Sequence, residues 1–280
     1  MRKIDYTGFQ LFDGAMGTRL LELGFQFRPK MEELNLTHPH IIQQVHQEYA
    51  DAGADFITTA TFGVNGYKYQ DSPHSVSEIV MAAIHNAKRA APSKCIVLDI
   101  GPIGQLLEPY GDMTEQACYG YFEEIIKAGK DHVDAILFET FMDLEEISIG
   151  IRCAKDITSL PVLATMTFNR DGRTMMGVSV ETMIETFESM GVDVLGVNCS
   201  WGPQDLIPVV EQLCKQSKTP IIVQPNAGLP HTQEDGSLHY DIDAKEFTDV
   251  ARRYLSLGVS IIGGCCGTDS KTIRQISSLK

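Results

Sequence analysis

The fold this sequence predicts is α/β, a single (β/α)8 TIM barrel over residues 1–280, and three observations carry it. Eight short runs rich in apolar and β-branched residues recur along the chain. Amphipathic helical patterns fill the intervals, and eight such units occupy roughly 250 residues in this fold, close to the 280 present. The runs are apolar throughout rather than alternately, as expected of parallel strands covered on both faces. A doubly wound open sheet is the competing architecture, but the chain carries neither a G-x-G-x-x-G loop nor a P-loop.

Taken in order, the first strand is expected over Phe9–Asp13, where Asp13-Gly14 is a turn signal. The second spans Phe56–Thr61 and runs into Phe62-Gly63-Val64-Asn65. Ser75 with Glu78 three residues on matches a capping box. Val76, Ile79, Val80, Ala83, Ile84 and Ala87 then form the stripe that turns this helix onto the sheet. Strands three to seven are expected over Cys95–Gly101, Ala135–Glu139, Pro161–Thr167, Val194–Cys199 and Pro220–Gln224. Asp243 and Glu246 open another helix, with Phe247, Val250, Ala251 and Tyr254 on one face. The eighth strand, Ser260–Gly264, leads into Cys265-Cys266-Gly267-Thr268 and a closing helical pattern with Ile273, Ile276 and Leu279. No long insertion stands out between any strand and its helix, which predicts an open barrel mouth.

Charge and cysteine usage narrow the function. A net charge of −14 without a basic stretch excludes a nucleic-acid partner. No run is long enough to span a bilayer, so no membrane partner is expected, and Met1–Tyr6 lacks the apolar core of a leader. Seven cysteines, an odd number, then point to a reducing cytoplasmic setting and to thiol or metal chemistry.

Barrel active sites form where the strands end. Cys199 ends the sixth expected strand, and Cys265 and Cys266 end the eighth, so three sulfurs face one cavity. The other cysteines fall elsewhere: Cys95 begins a strand at the opposite end, and Cys118, Cys153 and Cys214 lie in helices. The histidines form no metal pattern, and His38, His40, His231 and His239 read as loop residues. Three thiolates at one point call for a cation, and Zn²⁺ prefers sulfur in tetrahedral geometry with a fourth position left open for chemistry. Such a site suits activation of a thiol, because a metal-bound thiol is deprotonated outright. Asn226 offers an oxygen as a weak fourth ligand or serves a turn, and Thr61, Asn65 and Asn198 either line the pocket or close strand ends.

The motifs Asp13-Gly14-Ala15-Met16-Gly17-Thr18, Glu33-Leu34-Asn35-Leu36-Thr37-His38-Pro39, Gly196-Val197-Asn198-Cys199-Ser200 and Gly263-Gly264-Cys265-Cys266 resemble those of the homocysteine S-methyltransferase family. Thr61-Phe62-Gly63-Val64-Asn65, Met166-Thr167-Phe168 and Pro225-Asn226-Ala227-Gly228 are most similar to its branch formed by the homocysteine-binding module of cobalamin-dependent methionine synthase. The resemblance implies a TIM barrel with zinc on Cys199, Cys265 and Cys266. It implies Asp13 and Glu139 at the ammonium of L-homocysteine, with backbone N–H groups around Gly14 and Met16 at its carboxylate. The homocysteine thiolate, held on zinc, would be methylated to methionine from methylcobalamin on a corrinoid carrier, a separate protein or domain. Two alternatives remain: a small donor such as S-methylmethionine, and a non-catalytic zinc or thiol sensor in which Cys265 and Cys266 form a reversible disulfide.

Overall fold

Eight parallel strands make one sheet that curls on itself in a computed structural model describing residues 8–233 and 238–280. Residues 1–7, which include the Met1–Tyr6 stretch read for a leader, and 234–237 lie outside the described residues. The barrel strands are β1 (Gln10–Leu11), β2 (Phe56–Thr58), β3 (Cys95–Ile100), β4 (Ala135–Phe141), β5 (Val162–Met166), β6 (Val194–Asn198) and β7 (Ile221–Gln224). After an antiparallel pair, β8 (Pro230–Thr232) and β9 (Leu238–Tyr240), the eighth barrel strand is β10 (Ile261–Ile262). Their order is β1-β10-β7-β6-β5-β4-β3-β2, and a helix follows each barrel strand, as the repeated units predicted.

Two helices illustrate why these segments fold as they do. Helix Pro39–Ala52 begins with proline at a position that needs no N–H and stops at Gly53, whose φ of 104° only glycine adopts readily. Helix Val76–Ala90 carries the expected capping box between Ser75 and Glu78, and its apolar stripe is buried. Asp243 likewise caps helix Ala244–Leu257 as expected, through the amides of Lys245 and Glu246.

Inside the barrel Phe12, Phe56, Val97, Leu137, Leu163, Val194, Ile222 and Ile261 pack together, with the Phe12 and Phe56 rings stacked 4.5 Å apart. Strand side chains point inward at every second residue, so further inward positions toward the mouth follow from these, Gly196 intervening between Val194 and Asn198. They are Asp99, Glu139, Thr165, Asn198 and Gln224: a polar layer resting on an apolar plug.

The sheet closes through a seam. The amide of Asp55 donates to the Leu11 carbonyl (2.7 Å), and the Leu11 amide donates to the Asp55 carboxylate (2.8 Å). One layer higher, Asp13 accepts from the Thr58 amide at 2.9 Å and from the Thr58 hydroxyl at 3.1 Å.

Three expectations need correction. The second strand ends at Thr58 rather than Thr61, because the chain turns there, with the Thr61 amide bonded to the Thr59 carbonyl. The fourth runs on to Phe141 through a bulge: Phe138 pairs with Ala164 and Phe141 with Met166. The seventh strand is followed by the β8–β9 hairpin, so an insertion does rise at the mouth, and His231 and His239 face each other in its register. Both hairpin strands are exposed and short, so no buried face imposes a hydrophobic period that could be read.

Candidate active site and metal centre

The sulfurs of Cys199, Cys265 and Cys266 lie within 4.8 Å of one another. Tetrahedral zinc with roughly 2.3 Å bonds to sulfur places its ligand atoms roughly 3.8 Å apart, a spacing that the trio's 4.8 Å limit accommodates. Backbone bonds fix all three. The Cys199 amide donates to the Gln224 carbonyl (2.9 Å), the Cys265 amide to Pro225 (2.8 Å), and the Ala227 amide to the Cys266 carbonyl (2.8 Å). Cys199 has φ 60° and Ser200 φ 63°, left-handed conformations that are unfavourable for residues with a side chain and cluster at functional sites.

The charge state of the trio follows from its crowding. Thiol donation from Cys265 and Cys266 holds Cys199 down, to about 3, with help from the Asn226 amide. That ionised sulfur in turn pushes Cys266 up to about 12 and Cys265 well above its ordinary value. Three sulfurs this close share one negative charge unless a cation joins them. The donor set therefore fits a thiophilic divalent ion, and the buried Oδ1 of Asn226, which has no protein partner, adds an oxygen beside it.

Beside the sulfurs sit three carboxyls. Burial pushes Glu139 up to about 8, reinforced by the charges of Cys199 and Asp13. Asp13 is raised to about 7 by burial, against the opposing bonds from Thr58. Asp99, 5% exposed, is held well above the carboxylate range by burial and then by Glu139 and Asp13, and its Oδ1 has no partner. No ion pair among the described residues involves any of the three. Uncompensated acids in an apolar barrel are costly, and a cationic group entering the mouth would relieve them.

The remaining candidates divide between pocket and support. Gly14 packs so tightly that a Cβ would lie 2.8 Å from the Tyr49 ring and 2.9 Å from the Thr268 hydroxyl. Met16, half-buried, begins helix Met16–Glu22, whose first amides receive no side-chain cap. Thr61 is fully buried, its hydroxyl donated to the Asp99 carbonyl at 2.6 Å, and Asn65 caps the short helix Gly66–Tyr69. Asn198 is fully buried and bonded to Thr140 and Thr165. Trp201 sits at the rim with Arg170 stacked on it at 4.3 Å, whereas Phe168 is buried.

Two participants lie outside the residues that the sequence nominates. Asp99 is one, although its place two residues beyond the inward Val97 signals the layer. Tyr240 is the other: the hairpin lays its ring over Gly267, close enough to feel the charge of Cys266.

The homocysteine S-methyltransferase family profile matches residues 10–279, nearly the whole chain. The chain belongs to the homocysteine S-methyltransferase family. It is 30% identical over 292 residues to a methionine synthase of Mycobacterium tuberculosis, covering 95% of this chain and 24% of that protein. A methionine synthase of Mycobacterium leprae is 28% identical over 288 residues with the same coverage. The chain thus spans about a quarter of the length of these relatives. Among solved structures, the metallated form of the homocysteine methyltransferase MmuM from Escherichia coli superposes with a TM-score of 0.84 at 18% identity, covering 98% of this chain and 97% of that one. At that identity the likeness is one of fold.

Proposed function

We propose that the chain is the homocysteine-binding, methyl-accepting unit of a zinc-dependent methionine synthase. The observation that carries this reading is the juxtaposition of three convergent sulfurs with three carboxyls lacking a counter-cation, Asp13 and Asp99 buried and Glu139 half-buried at the mouth. Homocysteine has a thiol at one end and an ammonium at the other, and the mouth offers a place for each. Zinc on Cys199, Cys265 and Cys266 would supply the positive charge that strips the substrate thiol of its proton while three electron-rich sulfurs leave it nucleophilic. Glu139, with Asp13 beside it, receives the ammonium, and Asp99 lies close enough to feel both. The uncapped amides at the start of helix Met16–Glu22, reached past Gly14, suit the carboxylate. Asn226 stands ready beside the metal position.

For the donor, a methyl-corrinoid on a carrier domain is the favoured reading. The 28–30% identity to methionine synthases over 95% of the chain supports this reading. Most of the exposed large apolar side chains among the described residues lie between the end of a barrel strand and the helix that follows it. Phe62, Leu106, Tyr110, Met142, Met175 and Leu229 are of this kind. Such a rim suits a bulky docked carrier. The second reading, a small sulfonium donor, draws on Tyr240 and Trp201, aromatic faces of the kind that attract such a cation. A methyl-transfer assay with zinc-loaded protein and homocysteine separates the two. Methylcobalamin is expected to give methionine faster than S-methylmethionine or betaine. The reverse order overturns the donor assignment, and the absence of methionine with every donor overturns the activity.

A further inference from the structure

Glu139 and Cys199 belong to different strand ends, 60 residues apart in sequence, yet one side chain joins the segments that carry them. Asn198 is fully buried and immediately precedes Cys199. Its Oδ1 accepts from the Thr140 amide at 2.9 Å and from the Thr165 hydroxyl at 2.8 Å, and its Nδ2 donates to the Thr140 hydroxyl at 2.7 Å. Thr140 has φ 66°, disfavoured for a β-branched residue, and it lies in the β4 bulge, directly after Glu139. Bulges beside active sites re-aim a side chain. Glu139 faces the barrel interior by its place in β4, the left-handed residue that follows it sets the angle at which the strand leaves Glu139, and the side chain of Asn198 bonds that residue at both its amide and its hydroxyl.

We propose that Asn198 is a positioning residue: it clamps Thr140, and through the bulge it fixes Glu139 toward the substrate ammonium while its neighbour Cys199 holds the thiol end. One amide thereby sets the separation between the two ends of the site, and so selects amino-acid thiols over simple thiols. The inference rests on the reading of Glu139 as the ammonium site.

The test compares homocysteine with γ-mercaptobutyrate, the same thiol acid without the amine, on zinc-loaded protein by calorimetry, with zinc content measured in parallel. Wild-type protein is expected to prefer homocysteine. In Asn198→Ala the preference should fall at least about tenfold, the loss expected when hydrogen bonds fixing a charged group are removed. Affinity for γ-mercaptobutyrate should stay within about twofold, with one zinc per chain retained. Thr140→Gly populates positive φ without a clamp, so adding Asn198→Ala on that background should change the preference much less than it does alone. Equal weakening of both ligands by Asn198→Ala, or no change in their ratio, overturns the proposal. Should Asn198→Ala fail to fold, Thr140→Val decides, since it removes only the hydroxyl that accepts from Nδ2: a lowered preference supports the clamp and an unchanged one overturns it. If wild-type protein itself shows no preference, the ammonium reading of Glu139 fails, whatever Asn198 does.

Discussion

Replacing Glu139 by Gln keeps the shape of the side chain and removes its charge, and the structure dictates how the penalty varies with pH. A hydrogen bond between ammonium and carboxylate is worth about 1.5–3 kcal/mol. With Glu139 raised to about 8, roughly one molecule in ten carries the charge at pH 7, and ionising the rest costs about 1.4 kcal/mol. The first cause of the raised value is burial, which metal loading leaves in place. The net loss in Glu139→Gln is therefore about 1 kcal/mol at pH 7. It should approach the full 1.5–3 kcal/mol at about pH 8.5, where the wild-type carboxyl is mostly ionised. Titration of the ligand itself cancels when wild type and variant are compared at one pH. Calorimetric titration of zinc-loaded protein with homocysteine at both pH values measures this. Equal affinities of wild type and variant at both would show that Glu139 is a bystander. A penalty that shrinks as pH rises would mean that Glu139 acts as a protonated donor rather than as the carboxylate that meets the ammonium.

Three further outcomes are expected. Zinc should bind at one equivalent per chain, and Cys265→Ser should abolish tight binding; full zinc retention in that variant refutes the three-sulfur site. Between pH 6.5 and 8 the metal-free, ligand-free protein should lose thermal stability as pH rises. Asp13 at about 7, Glu139 at about 8 and Glu146 at about 7 all lie above their unfolded values, so the folded state binds more protons there. Cys199, held down to about 3, and His46, lowered to about 4, act with the opposite sign, Cys199 throughout the window and His46 mainly at its lower edge. The four raised carboxyls, Asp99 included, outnumber them, so a melting temperature that climbs from pH 6.5 to 8 contradicts the raised carboxyls. Finally, Gly267→Ala should destabilise by about 1–3 kcal/mol, because φ is 79° and the new Cβ would overlap the Tyr240 ring. On a Tyr240→Ala background only the backbone share of about 1–2 kcal/mol should persist, and an undiminished penalty in melting experiments would mean that the hairpin contact contributes nothing to it.

The sequence by itself determined the barrel and the meeting of three cysteines at its mouth. Apolar runs and amphipathic helices are local patterns, and a parallel sheet buried on both faces leaves few other ways to hide them. The Gly263-Gly264-Cys265-Cys266 stretch and the Asn198-Cys199 pair are legible because topology alone sends the ends of β6 and β10 to one mouth. Tertiary structure decided what depends on contacts between distant segments. The carboxylate of Asp13 also ties β1 to β2 at the barrel seam, a bond to Thr58 across 45 positions. The left-handed Thr140 beside Glu139 is bonded by Asn198, 58 positions away, and nothing in Glu139-Thr140 marks a left-handed residue. Asp99 became a member of the site only when Glu139 and Asp13 closed around it without a counter-ion. The hairpin that brings Tyr240 over Gly267 has no buried face of its own, so its position is set by the barrel mouth beneath it rather than by any period in its residues.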